Sequence, residues 1–108
     1  MSSFDEREKG YEKKFAHDEE LKFKAMARRN KLLGLWAAGL MGKSGDEAEE
    51  YAKGVVLADL EEPGDEDVFR KIRGDFDAAS IDQSDHQIRR TMDELMDEAV
   101  SQIESERE

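Results

Sequence analysis

The chain has no cysteine, a single proline (Pro63), and aromatic residues make up only 7% of its 108 positions. Without cysteine there is no disulfide framework and no thiolate nucleophile or soft metal ligand. With one proline, only one point in the chain enforces a backbone break. β-Branched residues are also sparse, while Ala, Glu, Lys, Leu, Met and Arg dominate. These are the strong helix formers, so the expected class is all-α. No apolar run approaches the roughly 20 residues that a membrane-spanning helix needs. The start, MSSFDEREKG, mixes charges of both signs and has no apolar stretch of the kind that marks a signal peptide, so cytoplasmic residence is expected.

Charge is what the chain has in abundance: 42% of residues are charged, against 37% hydrophobic, and the net charge is −11. One domain with a thin core is the expectation, because a chain of this size buries only about two-thirds of its unfolded surface. The charge is divided unevenly. Residues 1–31 hold nine Lys/Arg against seven Asp/Glu, whereas residues 32–108 hold eight against 21. An acidic body argues against nucleic acid, which requires a concentrated basic face. The basic-leaning first third is suited to an acidic protein surface, although such charges also serve simply to keep a small protein soluble.

Residues 1–18 are nearly all charged or polar, with Phe4, Tyr11 and Phe15 spaced seven and four apart, on one face if the segment is helical. Too little else there is apolar to fix it to a core, and short isolated helices are marginal in water. The segment is expected to be disordered or loosely helical when free and helical when bound. A plain floppy tail is the bland counterpart. Residues 19–108 read as a four-helix bundle. The first helix, about 19–42, carries a stripe of Leu21, Ala25, Arg28 or Arg29, Leu32, Trp36 and Leu40, flanked by Met26, Leu33 and Ala37. Gly34 and Gly39 inside it point to close packing, and Gly42 to a helix stop. Ser44 and Glu47 suggest a capping box for a second helix over about 45–61, with Ala48, Tyr51, Ala52, Val55 and Val56 on its apolar stripe and Leu60 or Asp59 on the flank. After Glu62-Pro63-Gly64, Asp65 is a candidate cap for a short helix carrying Val68, Phe69, Ile72 and Phe76. Ser84 and Gln87 suggest another capping box before a last helix, about 85–104, with Ile88, Met92, Leu95, Met96, Ala99, Val100 and Ile103 at helical spacing.

Several patterns invite a chemical reading. Ala37 to Ser44, with Gly42-Lys43-Ser44 at its end, meets the relaxed spacing of a phosphate-binding loop. That chemistry needs a strand, a glycine-rich loop and a helix, so that backbone N–H groups converge on phosphate. Here a helical pattern precedes the match and no strand is visible, so the three residues read better as one helix ending and another beginning. His17 and His86 lack the companion ligands of a zinc site and read as solvated polar residues, with a pH-sensitive role open to His17 because its charge changes in the physiological range. The acidic pairs Glu49-Glu50, Glu61-Glu62 and Asp97-Glu98 read as solvated helix faces, and no serine or threonine stands in a nucleophile motif. No enzyme activity, metal or cofactor is expected.

The run from Lys14 to Val56, KFAHDEELKFKAMARRNKLLGLWAAGLMGKSGDEAEEYAKGVV, resembles the zeta-subunit family of alphaproteobacterial ATP synthases. Arg28 to Gly45 is its most specific part. The resemblance extends over nearly the whole chain, including Ile88 to Leu95, and is looser between Gly64 and Gln87. It implies an inhibitor of ATP hydrolysis by the catalytic head of the rotary enzyme. It also implies a four-helix body and an N-terminal inhibitory segment that enters an interface between catalytic and non-catalytic subunits. Such a protein acts as a one-way brake and is held at the inner membrane peripherally, through the synthase.

A segment with one aromatic face can fold into a groove as a helix, which makes Phe4, Tyr11 and Phe15 the expected anchors. Arg7, Lys9, Lys13 and Lys14 would then meet acidic groups, with Lys22, Lys24, Arg28 and Arg29 extending the contact along the first helix. The free protein is expected to be a monomer. Two other classes stand beside this reading: a nucleotide-sensing bundle using Gly42, Lys43 and Ser44, and a bundle that self-associates through Ile88, Met92 and Leu95.

Overall fold

A computed structural model of the chain describes residues 19–61 and 64–107. The segment 1–18, and with it Phe4, Arg7, Tyr11, Lys14, Phe15 and His17, lies outside the described residues. Four helices follow in order: α1 (Glu19–Leu40), α2 (Asp46–Glu61), α3 (Asp65–Ala78) and α4 (Asp85–Arg107). Each expected helix is present, and most boundaries differ from expectation by no more than two residues; α4 runs three residues further.

Neighbours in sequence are neighbours in space. α1 packs most extensively on α2 and α4, α3 closes the ring between α2 and α4, and only a light contact crosses the bundle from α1 to α3. Paired side chains fix the directions. Asn30 meets Asp59 while Gly34 abuts Ala52, and Leu21 and Ala25 pack with Ile103 while Leu33 and Ala37 share the core with Ile88 and Met92, so α2 and α4 both run antiparallel to α1. Likewise Glu66 meets Arg89 while Arg73 meets Asp85, so α3 and α4 are antiparallel. Links this short leave antiparallel packing as the accessible geometry.

The main core is formed by Leu33, Ala37, Val55, Val68, Phe69, Ile72, Phe76, Ile88 and Met92, with Trp36, Tyr51, Ile81 and Leu95 packed on it. Trp36 and Phe76 meet edge to face, with ring centroids 5.5 Å apart, a favourable arrangement for aromatic quadrupoles. At Gly34, α1 comes so close to α2 that an added Cβ would lie 2.5 Å from Ala52 Cα. This is the close approach expected of a mid-helix glycine. Gly39 has open space around it and serves no such purpose.

The helix ends follow backbone rules. α1 finishes in a Schellman motif: Lys43 N–H donates to Ala38 O (2.8 Å), Gly42 N–H donates to Gly39 O (3.2 Å), and Gly42 takes φ +80°. α3 ends in the same motif, with Ile81 N–H to Phe76 O and Ser80 N–H to Asp77 O, but here Ser80 occupies the left-handed position at φ +59°. The capping box at α4 forms as expected, with Gln87 N–H donating to Ser84 Oγ (3.1 Å) and Ser84 N–H donating to Gln87 Oε1 (2.9 Å).

The other two expected caps do not form. The chain turns at Gly45, whose carbonyl accepts from Glu49 N–H, so α2 begins one residue past the register in which Ser44 would cap it. Asp65 is already helical, and its carboxylate is taken by Arg29; with Glu66 and Asp67 it places negative charge at the positive end of the α3 dipole.

Candidate partner-binding surface

α1 and α4 are the long helices, and α1 reaches beyond the α2–α3 turn. Asp65, at the start of α3, meets α1 at Arg29, while Ile103 near the end of α4 packs on Leu21 and Ala25. The first turns of α1 therefore lie mainly against α4, in a small satellite core of Leu21, Ala25 and Ile103 with Met96 and Val100 beside it.

A polar layer separates this satellite from the main core. The Arg29 guanidinium, 2% exposed, donates to Asn30 Oδ1 (2.8 Å) and to Asp65 Oδ1 (2.8 Å). Asn30 Nδ2 donates to Asp59 Oδ2 (2.9 Å), and Gly64 N–H donates to the other oxygen of Asp59 (3.2 Å). The network ties the α2–α3 turn to the middle of α1. Burying a charge demands such partners, because an unpaired buried charge is strongly destabilising. Sequence reasoning placed Arg28 or Arg29 on the inward stripe without separating them, and likewise left Leu60 or Asp59 on the flank of α2. The structure selects Arg29 and Asp59 for the interior and leaves Leu60 half exposed to solvent.

Arg28 lies one residue round the helix and is also engaged. It forms a fork with Glu106, at 2.7 Å and 3.0 Å, and donates to Gln102 Oε1 (2.8 Å). The hydrogen bond to Arg28 holds the Glu106 carboxyl below the usual carboxylate range, and the same bond raises Arg28 above its ordinary value. Arg28, one of the expected partner contacts, is held in place by α4 and remains partly exposed, with its geometry set by two neighbours.

Around Arg28 lies a shallow surface formed by Leu21, Phe23, Lys24, Ala27, Lys31, Val56 and Ile103. Phe23 is 57% exposed. Lys22, another expected contact residue on α1, is exposed in the first turns. Lys24 makes only a loose pair with Glu20 at 3.6 Å, and Lys31 forms no ion pair with a described residue. The surface thus combines an apolar floor, one exposed aromatic ring and several cations in a protein that is otherwise strongly acidic.

The nucleotide alternative fares differently. Gly42 and Lys43 are the last two residues of the Schellman motif, so their N–H groups are spent on α1 carbonyls instead of converging on an anion site. Lys43 and Lys71 share a shallow surface with Asp46, Glu47 and Glu50, so a phosphate there would meet three carboxylates as well as the two lysines. His86 is exposed at the start of α4. Among the described residues no group of three His, Cys, Asp or Glu side chains could hold a metal ion. No helix among them is long and apolar enough to cross a membrane.

The fold and surface define a small antiparallel four-helix bundle whose most distinctive exposed feature is an apolar and basic face on its first helix. The chain belongs to the family of ATPase inhibitor subunit zeta, whose sequence profile matches residues 1–102. It is also similar to a protein solved in solution by NMR, with 50% sequence identity and a TM-score of 0.70, covering 80% of this chain and 98% of the other. No curated protein matches the chain significantly.

Proposed function

We propose that this chain is a regulatory inhibitor of ATP hydrolysis by the catalytic head of an F-type ATP synthase. Residues 1–18 are the inhibitory segment, entering a subunit interface of the head as a helix, and the bundle of residues 19–108 carries it. The observation that supports this reading most is the extent of the family match: it runs from residue 1 to residue 102, through the charged segment and the bundle together. The segment's aromatic residues supply the physical means. Ordering a free segment consumes part of the interaction energy, so a few large side chains must supply the surplus. Phe4, Tyr11 and Phe15 are the large side chains available, with Arg7 and Lys14 beside them for acidic partners. The chain itself acts as a monomer without catalytic activity, and its place in the cell is at the inner membrane through the synthase.

The test is a titration of ATP hydrolysis by the cognate head. Full-length protein should inhibit, and the Phe4→Ala/Tyr11→Ala/Phe15→Ala variant should lose at least an order of magnitude in potency. Equal inhibition by both would remove the segment from the mechanism. Inhibition by neither, with no binding, would remove the inhibitor reading.

A further inference from the structure

We propose that the outer face of the first half of α1, with Phe23, Lys24, Ala27 and Lys31 flanked by Val56 of α2 and Ile103 of α4, is a second docking site of this protein, built for an acidic helix with an apolar stripe. The inference rests on the inhibitor reading for the location of that helix, which is on the catalytic head, and adds a contact made by the bundle itself.

Three features point to this occupant. The first is exposure. Phe23, Leu57 and Leu60 are each at least half exposed, and all three stand on the first turns of α1 or the last turns of α2. Phe23 lines the proposed face together with Val56, and Leu60 follows Val56 by one helical turn, so an apolar stripe continues along its edge.

The second is charge. Residues 32–108 hold 21 Asp/Glu against eight Lys/Arg, yet the proposed face carries Lys24, Arg28 and Lys31, with Glu106 already engaged by Arg28 and Glu20 loosely beside Lys24. Lys31 has no ion-pair partner among the described residues, and Lys24 only a distant one. Exposed cations around an apolar floor fit carboxylates around an apolar anchor. A second copy of this chain would have to bring one body of net charge −11 against another, and that repulsion disfavours it as the occupant.

The third is position. The face begins within the first turn and a half of α1, directly after residue 18, so a partner held there lies next to whatever the inhibitory segment binds. Two linked contacts raise apparent affinity well beyond either alone, because the second becomes intramolecular. The Arg28–Glu106 fork and the bond to Gln102 hold this part of α1 against α4 and so keep the face's residues side by side.

The experiment measures binding of the full-length chain to the isolated cognate head by calorimetry, alongside hydrolysis assays. The variant is Phe23→Ser/Lys24→Glu/Lys31→Glu, all at exposed positions, with its thermal midpoint measured to confirm the fold. Arg90→Glu, 72% exposed on α4 and away from this face, reports what one such charge reversal does elsewhere on the surface. The expected result is a loss of roughly tenfold or more in affinity for the triple variant, and a much smaller change for Arg90→Glu. The wild-type affinity should also fall with added salt more steeply than that of the variant. A folded triple variant that binds as tightly as wild type overturns the docking site and leaves the inhibitory segment standing. If the wild-type chain does not bind the head at all, both readings fall. A wild-type chain that is dimeric in sedimentation, and monomeric when the face is altered, with head binding unchanged, would make a second copy the occupant and overturn the proposal.

Discussion

The two ends of the bundle are held together differently. At one end four helices share a core in which Leu33, Ala37, Val55, Ile72, Phe76 and Ile88 are fully or almost fully buried. α1 and α2 approach there as closely as Gly34 allows. At the other end α1 and α4 continue past the α2–α3 turn and meet over Leu21, Ala25 and Ile103, with a charged fork on the surface. Between the two stands the buried layer of Arg29, Asn30 and Asp59. The first end has the features of a rigid carrier. The second, thin and exposed, has the features of a surface that adapts to a partner, and it adjoins the segment read as inhibitory. Local stability follows the number of elements sharing a core, so loosening is expected to begin at the second end.

The largest effect should come from the layer that joins them. Asp59→Ala leaves Asn30 Nδ2 and Gly64 N–H without their partner and weakens the support of the buried Arg29. The expected loss is about 3 kcal/mol of unfolding free energy, read from urea denaturation. A loss under about 1 kcal/mol would show that the layer is incidental, and would remove the boundary between the two ends.

Next comes a pair of glycines that differ only in what surrounds them. Gly34→Ala drives a methyl into the Ala52 backbone, and should destabilise by about 1–3 kcal/mol even though alanine is the better helix former. Gly39→Ala meets open space and should stabilise by up to about 1 kcal/mol from helix propensity alone. Thermal midpoints of the two variants should therefore move in opposite directions. Shifts of the same sign would mean that close packing at the four-helix end is not what Gly34 provides.

Periodicity and punctuation made much of this architecture legible before any coordinates. Apolar spacing marked four helices, Pro63 marked the α2–α3 break, and Ser84 with Gln87 marked the start of α4. What sequence could not resolve were choices among adjacent residues on a wheel. Arg28 and Arg29 both fit the α1 stripe, and only the angle at which α2 and α4 meet α1 sends Arg29 inward and Arg28 to Glu106. Asp59 and Leu60 were likewise alternatives at the edge of the α2 stripe. Asp59 is the buried one because Asn30 and the Gly64 N–H stand opposite that position. Gly39 looked identical to Gly34, since a glycine's role is defined by its neighbour and not by its own helix. Of the candidate site, the basic lean of residues 1–31 was visible, but Phe23 was not singled out. An aromatic residue off the main stripe looks like noise until the helices are packed and it remains in solvent.

The smallest predicted effect separates the two ends by chemistry they have in common. Each end carries an arginine–carboxylate pair between helices: Arg28–Glu106 at the thin end, and Arg89–Glu66 at the four-helix end. In both, the hydrogen bond from arginine holds the carboxyl below its ordinary range. A depressed folded value means that each pair's contribution is fully present above the ordinary carboxylate range, and is lost as pH falls through the depressed value. The consequences should differ. Arg89 also stacks 4.0 Å from the Phe69 ring, and Phe69 belongs to the main core, so protonating Glu66 leaves α3 and α4 held together. Glu106 has behind it only the small Leu21–Ala25–Ile103 cluster. Hydrogen-exchange protection, corrected for intrinsic rates, should therefore fall in the last turns of α4 on acidification from about pH 6 to about pH 3, while the α3–α4 interface near Glu66 keeps its protection. Glu106→Gln should show the loosened α4 terminus already at neutral pH and lose the acid dependence there. Equal acid sensitivity at both pairs would mean that the ends are equally supported, and the division between carrier and adaptable surface would have to be abandoned.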